Sequence, residues 1–360
     1  VPRTFSEVEV GERIEAMRRR TPRFRDERIT MAHGAGGKAT RALVEGMIVP
    51  LLDNPALSAL SDAAFFGAAG LDLAITTDGY VVSPLRFPGG SIGELAVNGT
   101  VNDLAVSGAK PLAVSAALII EEGLPAETLE AEIRAMAEAA ATADVSIVTG
   151  DTKVVERGKA DGLYIVTTGV GQVDARAALA PEKVRPGDKV IVSGTIGDHG
   201  VAILLARGTL DIEADVRSDT RPLWTMCESL IAGCGEHLHC MRDATRGGVA
   251  TVLNEIALSA EVGVVIAEDR LPLLPEVIGA GEILGIDPLY VANEGKLVAF
   301  VEAEYADTAL ALMRATEAGA DAAIIGEVRD EPPGRVLGKT AFGGHRMIDI
   351  LVGDPLPRIC

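Results

Sequence analysis

Apolar, β-branched runs recur at strand length along the chain, at residues 73–77, 113–120, 145–149, 163–168, 189–193, 262–267, 297–301 and 323–328. Each predicts a strand, because branched side chains pack well on a pleated, half-buried surface. Helical periodicity lies among them. One helix opens after Pro125 and brings Leu129, Ile133, Met136 and Ala140 onto one face, since residues three and four apart stack along a helix and a first-turn proline lacks an N–H that would be unpaired anyway. A second covers residues 92–107 and stops at Gly108, with Pro111 beyond, an order that ends helices. Further helices fit residues 200–206, 249–259 and 306–315.

The breaker-rich stretch Ala180-Pro181-Glu182-Lys183-Val184-Arg185-Pro186-Gly187-Asp188 divides this pattern into two similar halves and marks a domain boundary. Strands and helices mix irregularly in both halves, so an α+β class is expected, not a doubly wound sheet. After Gly344 the periodicity fades into a tail ending Pro355-Leu356-Pro357-Arg358-Ile359-Cys360, whose prolines favour extended backbone. The expected organisation is an extension over 1–29, an N-terminal domain over 30–178, a C-terminal domain over 179–344 and a mobile tail over 345–360. About 15 tail residues span at most about 50 Å, enough to reach a site in the same protein or in a partner.

With 360 residues, 48% of them hydrophobic, the chain can bury two cores without cross-links. Its four cysteines, Cys227, Cys234, Cys240 and Cys360, do not form a disulfide framework and predict a reducing, cytoplasmic setting. No apolar run is long enough to span a bilayer, so no membrane association is expected. A net charge of −19 repels polyphosphate backbones and argues against nucleic acid as a partner. Against that background Arg18, Arg19, Arg20, Arg23 and Arg25 form a basic stripe, either the solvated face of an amphipathic helix or a docking site for a partner or second subunit.

Three aspartates stand at breaks between apolar elements: Asp78 in Thr76-Thr77-Asp78-Gly79, Asp103 in Asn102-Asp103-Leu104-Ala105, and Asp151 in Thr149-Gly150-Asp151-Thr152-Lys153. Singly, each reads as a turn or capping residue. Together with one lysine they suit Mg²⁺ bound with a polyphosphate. The segment His33-Gly34-Ala35-Gly36-Gly37-Lys38 precedes an amphipathic run over 41–52; it is either an anion-cradling loop or a plain flexible turn, and its spacing is not that of a Walker A loop. Arg246 with Gly247 and Gly248 could hold phosphate, whereas Asp243 or Thr245 could simply cap the helix that follows. Glu294 stands in the turn Asn293-Glu294-Gly295-Lys296, where an exposed carboxylate is the default.

Cys227, Cys234, His237, His239 and Cys240 raise a zinc site, but they contain no Cys-x-x-Cys, and Cys227 and Cys234 fit equally well as core side chains. Cys360 differs. A terminal cysteine has no packing value, and such a thiol can carry a group between active sites, with Arg358 placed to offset the adjacent carboxylate.

The assembled motifs His33-Gly34-Ala35-Gly36-Gly37, Phe87-Pro88-Gly89-Gly90, Asn102-Asp103-Leu104-Ala105, Thr149-Gly150-Asp151-Thr152-Lys153, Asp243-Ala244-Thr245-Arg246-Gly247-Gly248, Asn293-Glu294-Gly295-Lys296 and Pro357-Arg358-Ile359-Cys360 resemble those of the HypE carbamoyl dehydratase family. That family belongs to the AIR-synthetase-like (PurM-like) ATP-binding superfamily. The resemblance covers residues 31–360, leaves the extension outside, and meets Ser91 where Asp or Asn is expected.

It implies a two-domain PurM-like fold, a homodimer built by the N-terminal domain, and ATP with Mg²⁺. By motif match, Asp78, Asp103 and Asp151 become magnesium ligands. Gly36, Gly37, Lys38, Asn102, Thr149, Gly150, Asp243, Arg246 and Gly247 become nucleotide contacts, and Cys360, Lys153 and Glu294 become the catalytic groups. The implied reaction is ATP-dependent dehydration of a carbamoyl group on Cys360 to a thiocyanate. The carbamoyltransferase HypF supplies the group and a HypC–HypD iron-carrying scaffold receives the cyano group for [NiFe]-hydrogenase. The alternatives are a free-substrate member of the superfamily, namely a small-molecule kinase, a selenophosphate synthetase or an amidine-forming synthetase, and a non-enzymatic scaffold whose Cys360 binds metal. The latter leaves the aspartates and Lys153 unexplained.

Overall fold

Burial alternates along β2 (Leu71–Tyr80), where Ala74, Thr76 and Tyr80 are buried while Leu71, Ile75 and Thr77 are exposed, the period-2 signature of a sheet covered on one face. The computed structural model describes residues 24–52, 54–208, 214–340, 342–351 and 358–360; Arg18, Arg19, Arg20 and Arg23 lie outside them. β2 belongs to a five-stranded sheet with β1 (Ala64–Ala68), β3 (Ala109–Glu121), β4 (Ser146–Val155) and β5 (Leu163–Val173), in the order β1-β2-β5-β3-β4. Only β3 and β4 run parallel, and the helix over Ala126–Thr142 that joins them makes the crossover such a pair requires.

The covered face lies under α1 (Ile92–Val106), which packs on β2, β3 and β5, and α2 (Ala126–Thr142) packs on α1. The sequence places Ile133 on the buried face of α2, but Ile133 is 46% exposed and the buried positions are Glu132, Ala135, Met136, Ala139 and Ala140. The reason is close approach. At Gly93 a Cβ would come within 2.3 Å of the Glu132 carbonyl oxygen, so the side of α2 that carries Glu132 and Met136 turns toward α1, and the Glu132 carboxylate is used there to accept from the Gly93 N–H at 3.1 Å and to pair with Arg86 at 2.7 Å. Among the described residues, the side chains on the other face of the sheet are largely exposed. Register puts Ile75, Thr77, Val166, Ala117, Asp151 and Lys153 on it.

The second sheet has seven strands: β6 (Lys189–Val192), β7 (Leu238–Asp243), β8 (Gly263–Ala267), β9 (Leu297–Val301), β10 (Ala323–Arg329), β11 (Arg335–Lys339) and β12 (His345–Ile348), in the order β12-β11-β8-β10-β6-β9-β7. It is covered on both faces. Val190, Val192, Val298 and Phe300 pack with Leu253 and Ile256 of α5 (Gly248–Ser259), while Ile191, Leu297, Ala299 and Val301 pack with Met226 of α4 (Trp224–Cys234) and Met313 of α7 (Ala306–Arg314). The helix α3 (Asp198–Ala206) joins the core of the first domain, and α6 (Pro275–Leu284) packs beside it.

This layering answers the zinc question. Cys227 and Cys234 lie in the core on one side of the sheet and Cys240 in the core on the other, so a sheet separates them, and among the described residues no three metal-donor side chains converge. Burial pushes the Cys234 thiol up to about 11 and Cys240 up to about 12, as befits neutral core thiols. Residues 345–348, read from the sequence as part of the tail, instead pair with β11 as the edge strand β12. The strands β1, β7, β11 and β12 and the helices α4 and α6 have no counterpart in the sequence reading.

Candidate active site

The buried face of β2 carries Asp78 to the domain boundary, where the Tyr80 hydroxyl donates to its Oδ2 at 3.3 Å. Gly99 of α1 makes room, since a Cβ there would come within 2.2 Å of that hydroxyl. Asp103 of α1 accepts from the Thr76 hydroxyl at 2.7 Å. Across the boundary, β7 ends in Asp243, and Asp62, which precedes β1, pairs with Arg242 Nε at 2.9 Å. All four carboxylates line one cavity of about 320 Å³.

Their proximity sets their charge. Burial pushes the Asp103 carboxyl well above the usual range, with Asp78 and Asp243 adding repulsion. Burial together with Asp62 raises Asp243 to about 7, against the opposing pull of Arg242. Such a cavity favours either protons or a cation. The donors are all oxygens, and no three metal-donor side chains converge on one point among the described residues. Carboxylate oxygens are the donors a hard ion takes.

Cys360 enters the same cavity. Its Sγ accepts from Arg246 Nε at 2.9 Å, and burial pushes the thiol up to about 12, with Arg246 pulling the other way and Glu294 adding to the rise. Arg358, expected to offset the terminal charge, points elsewhere and pairs with Asp161; the guanidinium facing the thiol is that of Arg246. Glu294 is 3% exposed rather than lying in an open turn. Among the described residues, one of its carboxyl oxygens has no hydrogen-bond partner, and burial with the Asp219 and Asp243 charges pushes the group well up. Its backbone is clamped: Asp219 Oδ1 accepts from Glu294 N at 3.0 Å, and Asp219 pairs with the buried Lys296 at 3.0 Å.

The remaining predicted positions separate into those at the cavity and those away from it. Gly36 lines it at φ +74°, its Cβ position 3.0 Å from Arg246 Cβ, so the Gly-rich loop abuts Arg246. Gly36 and Thr40 also line an adjoining cavity of about 530 Å³, together with Gly37, Arg41 and Arg242. Lys38 lines neither and pairs with Asp349 at 3.0 Å. Gly247 serves packing: its φ is +76°, and a Cβ would come within 2.1 Å of Thr251 Oγ1.

Asn102 is wholly engaged inside the protein, donating to Arg221 O at 3.0 Å and Glu294 O at 3.1 Å and accepting from Leu223 N at 2.8 Å. No donor is left for a nucleotide. Thr149, Gly150, Asp151 and Lys153 lie on the exposed edge strand β4. Asp151 is three strands from Asp78, about 14 Å at ordinary strand spacing, and points to the opposite face of the sheet. Within one chain, Asp151 and Lys153, which pair at 2.9 Å, do not meet Asp78 and Asp103. Asp62 escaped the sequence reading, since Ser61-Asp62-Ala63 carries no motif; Asp219 and His199 escaped it as well.

The fold and the acidic cavity between its domains define an AIR synthase-related protein of two domains. The profile described as AIR synthase related protein, N-terminal domain, matches residues 60–173, and that of the C-terminal domain matches residues 185–339. The chain belongs to the carbamoyl dehydratase HypE family. It is 51% identical to the carbamoyl dehydratase HypE of Rhodobacter capsulatus over 340 residues, 94% of this chain and 99% of that one. Among solved structures it resembles a HypE–HypF complex (TM-score 0.82, 47% identity, 86% of this chain and 100% of that one). It also resembles a HypE in complex with ATP (TM-score 0.78, 43% identity, 92% and 100%).

Proposed function

We propose that this protein dehydrates a carbamoyl group carried on Cys360 to a thiocyanate at the expense of ATP, in the cytoplasm and in the service of [NiFe]-hydrogenase maturation. The observation that carries this reading is that the Cys360 thiol shares one cavity with Asp78, Asp103, Asp243, Arg246 and Glu294. A thiocarbamate S–C(=O)–NH₂ loses water poorly, because oxide is a poor leaving group. Transfer of the γ-phosphoryl group of ATP to the amide oxygen makes phosphate the leaving group, and removal of two protons from nitrogen leaves S–C≡N with ADP and phosphate. Glu294, with its unpartnered oxygen and raised proton affinity, is suited to take a proton from that nitrogen. Arg246 is suited to charge developing beside the sulfur.

Asp78 and Asp103, with Asp243, would hold Mg²⁺, which when bound neutralises charge on the phosphates. The adjoining cavity beside Gly36 and Gly37 offers room for the rest of the nucleotide. Asp151 and Lys153 act from a second copy. The largely exposed apolar face that bears them and the open edge of β4 suit a homodimer, in which each copy completes its partner's site with Lys153 on the phosphates. HypF delivers the carbamoyl group, and a HypC–HypD scaffold takes the cyano group onto iron.

Intact-mass measurement after incubation with HypF, carbamoyl phosphate and ATP tests this reading. The carbamoyl adduct appears on Cys360 and then loses the mass of one water. With Glu294→Ala or Lys153→Ala the adduct forms and persists, and with Cys360→Ala none forms. Hydrogenase maturation supported by the Cys360→Ala protein would overturn the carrier mechanism in favour of a free substrate.

A further inference from the structure

The docked end of the chain is held by its main chain. The Arg358 carbonyl accepts from Arg207 Nη2 at 2.7 Å, the Ile359 carbonyl lies 2.7 Å from His199 Nε2, and the Cys360 main-chain oxygen accepts from Val81 N at 3.2 Å. The Ile359 side chain is 2% exposed and packs in the core shared by the two domains.

A carbonyl only accepts, so His199 Nε2 carries the proton and donates. Nδ1 is then the acceptor, and Ser218 Oγ, 2.8 Å away, donates to it. Ser218 is itself fixed. Its hydroxyl oxygen accepts from Thr220 N at 3.2 Å, and its N–H donates to the Pro88 carbonyl at 2.7 Å. Gly89 has φ +90°, and a Cβ there would come within 2.6 Å of Ser218 N and O. Phe87 meets the His199 ring edge-on, 5.6 Å between centroids at 87°. The His199 ring is fully buried, and that burial holds it in the neutral form.

We propose that His199 is a positioning residue, a latch whose ring N–H grips the Ile359 carbonyl and so seats Cys360 in the active cavity, and that the Phe87-Pro88-Gly89-Gly90 segment, through Ser218, locks the required tautomer. The proposal rests on the reading of Cys360 as the carrier. The latch touches main-chain atoms and one apolar side chain and leaves Sγ to Arg246. The same grip therefore serves the free thiol, the thiocarbamate and the thiocyanate. Without the His199 donor a buried carbonyl loses its partner, and the docked state weakens relative to the released one.

The test is the rate at which iodoacetamide alkylates Cys360 in the full-length protein, without ATP or partner, read by peptide mass. A buried, neutral thiol reacts only while released, so the rate reports the released fraction. His199→Ala should raise it roughly tenfold, while the buried Cys227, Cys234 and Cys240 stay unreactive and report an intact fold. His199→Gln, whose amide N–H can donate to the same carbonyl, should return the rate toward wild type. Ile359→Ala, which leaves both domain cores otherwise complete, should also raise it. A wild-type rate in His199→Ala, whatever Ile359→Ala does, or no rescue by His199→Gln, overturns the latch. None of these rates requires the dehydration chemistry, so failure of the latch and failure of the proposed reaction are separately visible.

Discussion

Asn102 offers a sharp separation between a nucleotide contact and a structural brace. Its amide makes three hydrogen bonds, to Arg221 O, to Glu294 O and from Leu223 N, and it is 1% exposed. Asn102→Ala removes all three and strands a buried N–H. At about 1 kcal/mol net for each bond, the loss is about 3 kcal/mol. For a chain of 360 residues unfolding cooperatively, with an entropy of about 2.1 cal/mol/K per residue, this lowers Tm by about 4 °C. Calorimetry measures the shift, and titration calorimetry with ATP and Mg²⁺ measures affinity on the same protein. The expected result is lower Tm, nucleotide affinity within about threefold of wild type, and slower loss of water from the Cys360 adduct because the Glu294 backbone has lost a support. An unchanged Tm with an affinity loss above about tenfold would refute the brace and return Asn102 to the nucleotide.

Three further outcomes follow from the same geometry. Asp103 and Asp243 have raised proton affinities in the fold, so the native state binds more protons than the unfolded chain between their unfolded values near 4 and their folded values. Stability without metal should therefore fall as pH rises from about 4 to about 7, by a few kcal/mol, and Mg²⁺ with ATP should restore it at neutral pH; melting temperatures that rise across this window would contradict the raised values. Asp78→Asn or Asp103→Asn should weaken magnesium-dependent ATP binding by about tenfold or more while the metal-free protein melts no lower than wild type, because a repulsive charge has been removed. Val166→Glu, on the exposed sheet face, should convert a dimer to a monomer in light scattering at micromolar concentration, and a monomeric wild type would remove the proposed role of the second copy.

The elements best read from the sequence are those whose side chains face one uniform environment. β9 was expected at residues 297–301 and is observed there, every residue buried; α1 was expected at 92–107 and runs over Ile92–Val106. Ile133 was misplaced because hydrophobicity ranks it above alanine and glutamate, whereas the close approach of α1 at Gly93 turns the side of α2 with Glu132, Ala135, Met136 and Ala139 inward. The strand β12 and the helix α6 were missed, since His345–Ile348 is short and Pro275–Leu284 carries two glycines, and tertiary pairing supplies what propensity lacks. In the site, Asp78, Asp103, Asp243, Arg246, Glu294 and Cys360 were legible as motif residues and meet in one cavity.

The amino-acid sequence by itself determined the α+β class, the family and the chemical types available, because periodicity and motif residues are local properties of the chain. Only the tertiary structure decided which of those residues share a cavity. Sheet register sends Asp151 and Lys153 to the face opposite Asp78; burial turns Glu294 from a turn carboxylate into a group of raised proton affinity; and Arg246, 114 residues distant in sequence, faces the Cys360 sulfur in place of the neighbouring Arg358. Proximity, desolvation and the face on which a side chain emerges are relations between distant segments, and no local pattern encodes them.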